Sequence, residues 1–146
     1  MQVKEIMTIN PKTVTPDMLI QDVATMMLIE RISGTPVVDD DNHVVGIISE
    51  KDILIHMFPT LDELMNESKP DFEALENNYQ STMPLSVQEL MSKNVCTVGP
   101  DMPCLKAASM MWTRKIRRIP VADNGKLVGI ISIGDVHRAI FKNSIS

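Results

Sequence analysis

Apolar residues recur at helical spacing in two stretches of the chain, residues 19–31 and 103–115. A spacing of three and four residues places them on one side of a helix, so each stretch predicts a helix with one buried face. Both helices are expected to end before a proline, Pro36 or Pro120, because the residue before proline disfavours helix. The apolar positions are Ile20, Val23 and Met27 in the first helix and Cys104, Ala107, Ala108 and Met111 in the second.

A Thr-Val pair followed by a proline precedes each of these helices, at residues 13–16 and 97–100. Both segments are expected to be short and extended, since proline restricts the residue before it to such conformations. Asp17 and Asp101 come next and are expected to be helix N-caps, because a short carboxylate accepts hydrogen bonds from amides of the first turn.

Short apolar runs separated by turn residues follow each helix and are typical of strand pairs. The second pair is joined at Asn124-Gly125, a strong hairpin signal because both residues tolerate positive φ. A further helix is expected after each pair. The predicted strands cover residues 36–38, 44–48, 120–122 and 127–131, and the following helices cover residues 50–58 and 133–142.

These elements occur twice because the chain contains a tandem repeat. Residues 3–39 and 87–123 are identical at 16 of 37 aligned positions, and the stretch GIISEKD at 46–52 returns as GIISIGD at 129–135. The predicted fold class is α/β (α+β), built from two β-α-β-β-α units. A unit this small buries too little apolar surface to be stable alone, so the copies are expected to pack together.

Residues 59–86 have no counterpart in the repeat. Apolar residues at helical spacing on either side of Lys69-Pro70 predict two short helices in this acidic segment. The predicted organisation is a first copy at 1–58, a helical insert at 59–86 and a second copy at 87–146.

Charge is distributed unevenly between the two halves of the chain. Residues 1–86 hold 5 basic and 15 acidic side chains, whereas residues 87–146 hold 9 and 4, within a net charge of −5. The acidic total argues against nucleic-acid binding, and the basic half is where an anionic ligand is expected. No apolar run approaches the roughly 18 residues that span a bilayer, so we expect a cytoplasmic protein without a membrane partner.

Motifs for metal binding or catalysis do not occur in the sequence. Cys96 and Cys104 lack metal-ligand spacing, and His43, His56 and His137 are scattered, so reduced thiols and no metal site are expected. A glycine-rich phosphate loop, a GxSxG elbow and an HExxH motif are all missing. We expect no catalytic residues, no enzyme activity and no required cofactor.

The repeated S-x-x-D pattern, at Ser49 to Asp52 and at Ser132 to Asp135, has two interpretations. The serine and aspartate form a capping-box arrangement at a helix start, which stabilises the helix and binds nothing. Alternatively, each pattern is half of a binding site.

Both copies contain four motifs in the same order: M-T/S, T-V-x-P, x-x-x-P-V and G-I-I-S-x-x-D. This order resembles the tandem cystathionine-β-synthase (CBS) domains of a Bateman module. The resemblance implies two units packed through their sheets with approximate two-fold symmetry. It also implies two clefts for an adenosine-containing ligand: AMP, ADP, ATP or S-adenosylmethionine. The motifs begin at Met7, Thr13, Ser33 and Gly46 in the first copy and at Met91, Thr97, Arg117 and Gly129 in the second.

The resemblance also implies which residues line the clefts, with each S-x-x-D facing the other copy and its aspartate accepting both ribose hydroxyls. Phosphate is expected at the cleft of Asp52, where Arg117 or Arg118 would bind it, although which cleft Arg118 serves stays open. Lys51 and Arg138 are further candidates for phosphate. One cleft is expected to hold Thr13, Thr35, Pro36, Ser132 and Asp135, and the other Thr97, Arg118, Ile119, Pro120, Ser49 and Asp52.

Two functions follow from the resemblance. The favoured one is a homodimeric regulatory sensor whose ligand changes the surface offered to a regulated protein. The alternative is a structural dimerisation module with vestigial clefts.

Overall fold

The computed structural model describes residues 1–66 and 71–146, and the chain divides into two compact units. Unit 1 comprises residues 1–13, 38–45 and 94–146, and unit 2 comprises residues 14–37 and 46–93. The helices are α1 (Val3–Ile6), α2 (Ile20–Glu30), α3 (Glu50–Leu54), α4 (Leu61–Met65), α5 (Phe72–Thr82), α6 (Val87–Leu90), α7 (Cys104–Arg114) and α8 (Ile133–Ile145). The strands are β1 (Thr8–Ile9), β2 (Gly34–Val38), β3 (Val44–Ser49), β4 (Arg118–Asp123) and β5 (Lys126–Ser132).

The compact units do not coincide with the two repeat copies. Unit 1 contains the body of the second copy together with α1 and β1, which belong to the first copy. Unit 2 contains most of the first copy together with the insert and α6, which opens the second copy. The two copies therefore exchange their first segments, which we call the lead-ins: α1 with β1 in the first copy and α6 with Met91-Ser92 in the second. The predicted division at residues 58 and 86 describes the repeat rather than these units.

Unit 1 is built on a three-stranded sheet in the order β1-β5-β4. Both pairings are antiparallel, with Thr8 opposite Ile130 and Ile119 opposite Ile131. The predicted hairpin is confirmed, because Asn124 (φ 52°) and Gly125 (φ 80°) join β4 to β5. The buried residues of its core are Val3, Val98, Cys104, Ala107, Met111, Ile119, Val121, Ile131 and Val136.

Unit 2 uses the same plan with a two-stranded sheet of β2 and β3. Val14 bridges Val37 in parallel, and the lead-in of the second copy closes the other edge, where Ile47 bridges Ser92. The insert forms α4 and α5 as predicted, while its expected break at Lys69-Pro70 lies outside the described residues. Its buried apolar residues are Val14, Ile20, Val23, Met27, Val37, Ile48, Ile53 and Val87.

The predicted N-caps Asp17 and Asp101 are wrong. The helices begin later, after Leu19 and Pro103, and neither of those residues offers a side-chain cap. Backbone carbonyls cap the helices instead: the Ile20 amide donates to Leu85 (2.8 Å). Likewise, the Cys104 amide donates to Met1 (2.9 Å). The carboxylates bind elsewhere: Asp17 accepts from Thr15 Oγ1 (2.7 Å) and Asp101 from Lys4 Nζ (2.8 Å).

The glycine of each GIIS sequence allows the lead-in backbone to approach closely. A Cβ built on Gly129 would lie 2.8 Å from the Thr8 carbonyl oxygen and 2.6 Å from Met7 Sδ. At Gly46 the corresponding distances are 3.0 Å to the Ser92 carbonyl oxygen and 2.5 Å to Met91 Sδ. A backbone atom cannot rotate away as a side chain does, so a side chain at either glycine pushes the lead-in off the sheet.

We expect Gly129→Ala to destabilise the protein by about 1–3 kcal/mol, the usual cost of overpacking a tight interior contact. The measurement is urea unfolding followed by circular dichroism. Gly99→Ala is the matched control, because a Cβ at Gly99 meets no atom within 4 Å. Equal stability of the two variants would contradict the proposed steric role of Gly129.

The turn between β2 and β3 is held by Asp39. Its Oδ1 accepts from the amides of His43 (2.9 Å) and Asp41 (3.0 Å), and His43 Nδ1 lies 3.4 Å from its Oδ2. These contacts, the His43 amide above all, lower the pKa of Asp39 below its usual 3.8. Because the folded pKa is depressed, the carboxylate contributes stability above pH 3.8, and this contribution is lost as the pH falls through the folded pKa.

We therefore expect Asp39→Ala to lower Tm at pH 7 and to lower it progressively less as the pH falls below 3.8, because the wild-type carboxyl also gains a proton as the pH passes through its lowered pKa. Thermal unfolding by circular dichroism at pH 7 and at a series of acidic pH values measures the difference. Asp123→Ala, at the matching position before the second turn, is the control for removing an exposed carboxylate. If the Tm difference between wild type and Asp39→Ala stays constant with pH, the carboxylate charge does not contribute to stability.

Candidate functional site

Each S-x-x-D pattern lies where a strand ends and a helix begins. At α8 the Ser132 amide donates to Asp135 Oδ2 (2.8 Å), and the Asp135 amide donates to Ser132 Oγ (3.1 Å). At α3 the Ser49 amide and hydroxyl both donate to Asp52 Oδ2, at 2.9 and 3.2 Å. Both are capping boxes, so the predicted capping geometry is confirmed, while a role of the same residues in ligand binding stays a prediction.

The second carboxylate oxygen differs between the two sites. Asp135 Oδ1 accepts from Arg138 at 2.7 Å, whereas Asp52 Oδ1 accepts no hydrogen bond from any residue in 1–66 or 71–146. Capping thus uses only one oxygen of each aspartate. The other oxygen is bound by the exposed Arg138 in unit 1 and accepts no hydrogen bond from a described residue in unit 2.

The strands place each aspartate beside the x-x-x-P-V segment of its own copy. Arg118 lies opposite Ser132 in the β4–β5 ladder, and the Ile133 amide donates to the Arg117 carbonyl (2.9 Å). In unit 2 the Glu50 amide donates to the Ser33 carbonyl (2.9 Å).

The expected pairing of each S-x-x-D pattern with the other copy in a ligand cleft stays a prediction. Asp135, rather than Asp52, shares a unit with Arg117 and Arg118, and Asp52 lies in the unit of Ser33. The hairpin explains this grouping within each copy, because two antiparallel strands joined by a tight turn return the end of the second strand to the start of the first.

The T-V-x-P segments lie along the same strands, as expected. The Val98 amide donates to the Pro120 carbonyl (3.1 Å), and the Val14 amide donates to the Pro36 carbonyl (3.2 Å). Whether these residues bind a ligand stays a prediction. Of the predicted site residues, unit 1 holds Thr13, Thr97, Arg117, Arg118, Ile119, Pro120, Ser132 and Asp135, and unit 2 holds Thr35, Pro36, Ser49 and Asp52.

Burial divides these residues into two kinds. Thr35, Pro36, Ile119 and Pro120 are buried, so they can offer a ligand backbone groups and an apolar wall. The side chain of Arg117 is exposed, and that of Asp135 is 19% exposed, which leaves both within reach of solvent and ligand.

A cleft of about 360 Å³ opens in unit 1 beside Asp135. Its volume falls at the lower end of the range typical of small-molecule sites. Lys142, which the sequence did not single out, lies seven residues after Asp135 on the same side of α8, and helical spacing from Asp135 was the signal that could have identified it. The lining residues are Met1, Ile6, Asp135, Arg138, Ala139, Lys142 and Asn143.

Other chemistry is limited in the described part of the chain. Among residues 1–66 and 71–146, no three His, Cys, Asp or Glu side chains are placed to hold a metal ion. Both thiols are free, and burial raises the pKa of Cys104, which keeps it protonated and unreactive at neutral pH.

None of the described helices combines the length and the apolar character required to cross a bilayer.

Comparison with known proteins gives consistent matches over most of the chain. The CBS domain model matches twice, at residues 3–58 and 87–142. An uncharacterized protein of Methanocaldococcus jannaschii is 32% identical over 96% of this chain and 91% of its own length.

Two solved structures share the fold and contain ligands. CBSX2 of Arabidopsis thaliana, crystallised in complex with AMP, has a TM-score of 0.77 and 29% identity, covering 98% of both chains. The CBS domain pair of MJ0100, in complex with 5-methylthioadenosine and S-adenosyl-L-methionine, has a TM-score of 0.72 and 26% identity, again covering 98% of both chains. With two matched repeats, a mixed helix and sheet fold and CBS pairs as structural neighbours, the chain belongs to the CBS domain family.

Proposed function

We propose that this protein is a regulatory module that binds an adenosine-containing ligand, with its anionic site in unit 1. The observation that carries the proposal is the position of Asp135: a capping box orients the carboxylate at the end of β5, and Arg118 lies across the ladder. The complexes of CBSX2 with AMP and of MJ0100 with S-adenosylmethionine support this class of ligand.

Each part of the unit 1 site has a distinct role in the proposal. Asp135 accepts the two ribose hydroxyls, since a carboxylate has lone pairs beyond the one used by Ser132. Arg117 and Arg118 supply positive charge for a 5′-phosphate, because a guanidinium binds phosphate through two parallel hydrogen bonds. The buried β4 residues Ile119 and Pro120 form the apolar wall against which adenine packs.

The unit 2 site has the same capping box with a different electrostatic environment. Ser33 and Gly34 occupy the positions of Arg117 and Arg118, and Asp52 lacks a bound cation among the described residues. This site suits an uncharged adenosine moiety. The phosphate site is therefore proposed at Asp135, the reverse of the allocation expected from sequence.

Regulation requires that the ligand favour one arrangement of the protein over another. In unit 2 the ligand site is connected to the insert through two contacts. Helix α3 begins at the Ser49 cap and continues directly into the 3₁₀ turn Ile55–Met57, and α5 of the insert packs against that turn. A ligand that tightens the α3 N-terminus thereby alters the support of the insert. We propose the insert as the surface offered to a regulated protein.

Asp135→Asn should weaken AMP binding by about tenfold to a hundredfold, the effect of losing hydrogen bonds to a charged acceptor. Isothermal titration with AMP, ADP, ATP and S-adenosylmethionine tests this. Asp52→Asn should leave AMP binding at unit 1 unchanged. Asp123→Ala removes an exposed carboxylate from the same unit and serves as the control.

Thermal unfolding of each variant separates lost binding from lost folding, since Asp135 also caps α8. The proposal fails if wild-type protein binds none of the four ligands. It fails equally if a folded Asp135→Asn variant binds AMP as well as wild type does.

A second function, dimerisation, is favoured by exposed apolar side chains on the long helices. On α7, Leu105 is 64% and Trp112 is 80% exposed, and their spacing of seven residues places them on one face. On α2, Leu28 and Ile29 are 80% and 71% exposed. Large exposed apolar side chains mark interaction sites, so we propose that α7 in unit 1 and α2 in unit 2 each contribute contacts to a homodimer.

Trp112→Glu should convert a dimer into a monomer of 16.3 kDa, because a charge in the centre of an apolar interface cannot be desolvated without cost. Light scattering after size exclusion measures the mass. Thr113→Glu, an exposed neighbour, is the control. Trp112 is the single tryptophan, so its emission reports burial directly. A wild-type monomer at millimolar concentration would exclude the dimer.

A further inference from the structure

The two ribose-site candidates differ at two helix positions that together place a cation on one aspartate only. In α8, Gly134 precedes Asp135 and Arg138 follows it by three residues. The corresponding residues in the first copy are Lys51 and Ile55. Isoleucine cannot pair with a carboxylate, so the contact exists in unit 1 alone.

Arg138 binds the Asp135 carboxylate oxygen that the capping box does not use. Its Nη2 donates to Asp135 Oδ1 at 2.7 Å, while the side chain itself is 66% exposed. Together with the Ser132 amide on Oδ2, this gives each Asp135 oxygen a donor before any ligand arrives. A ribose hydroxyl that binds Oδ1 must therefore displace the guanidinium or share the oxygen with it.

Gly134 provides the space in which the guanidinium lies. A Cβ at Gly134 would be 3.2 Å from Arg138 Nη1, closer than an ordinary van der Waals contact. A side chain at this position would require the exposed guanidinium to shift by a few tenths of an ångström.

The cleft beside Asp135 can receive both the displaced guanidinium and an anion. Arg138 and Lys142 lie one turn apart on α8 and both line this cleft of about 360 Å³. An adenosine that displaces Arg138 loses an exposed ion pair, a penalty of up to roughly fivefold in affinity. A nucleotide brings its own anion to the released guanidinium, which is worth about tenfold to a hundredfold.

We propose that Arg138 is a displaceable cap on Asp135 that makes unit 1 select 5′-phosphorylated nucleosides over uncharged or cationic adenosine compounds. This inference rests on the proposed function, since it assumes that Asp135 binds ribose. It adds the residue that couples ribose binding to phosphate and a reason why the two sites differ in specificity.

The test is the ratio of AMP to adenosine affinity, measured by isothermal titration in an Asp52→Asn background that weakens unit 2. Arg138→Gln should reduce this ratio at least tenfold, through weaker AMP binding and unchanged or slightly tighter adenosine binding. Arg138→Lys should retain part of the preference, because it keeps the charge without the planar fork. Lys142→Gln is the control, since Lys142 lines the cleft without bonding Asp135, and it should change the ratio less.

The outcomes separate the two proposals. If wild-type protein binds neither compound, the proposed function and this inference both fail. If wild-type protein binds AMP through Asp135 but Arg138→Gln leaves the ratio unchanged, only the inference is overturned. A circular dichroism melt of each variant shows that the fold is retained, which is expected because Arg138 is largely exposed.

Discussion

The close approach of a lead-in backbone to a glycine-bearing strand is the constraint on which each unit depends. In unit 1, β1 can pair with β5 only because Gly129 leaves room for the Thr8 carbonyl. The same segment supplies the Met1 carbonyl that caps α7 and the buried Val3 side chain. One short stretch from the other copy thus completes the sheet, caps a helix and fills the core.

The local chemistry of the fold could be predicted from sequence because it depends on neighbours along the chain. Helix faces, the Asn124-Gly125 hairpin and both capping boxes follow from residue type and spacing alone. The N-caps were wrong because carbonyls distant in sequence, those of Leu85 and Met1, took the place of the nearby carboxylates. Hydrogen bonds to carbonyls distant in the chain leave no periodic pattern in the sequence.

The candidate site shows the same division. Its residue types were identified from the repeat, and the predicted hairpin already implied which of them are neighbours within each copy. A strand that turns back at Gly125 must bring Ser132 beside Arg118. The cation on Asp135 could not be predicted, since it depends on a rotamer of Arg138 and on the space above Gly134. Duplicated motifs are therefore better compared through the residues around them than through the motif itself.

Because the two copies exchange their lead-ins, the segment that is repeated in the sequence is not the segment that forms one compact unit. The repeat that sequence alignment detects begins at the lead-in, yet that segment stabilises the unit formed by the other copy. A fragment cut at the repeat boundary would expose an unpaired strand edge and uncapped helix amides, as in proteins that exchange elements between chains. Once both lead-ins were exchanged, loss of either copy would have left the remaining one incomplete, which gives a physical reason for the pair to persist as a single inherited module.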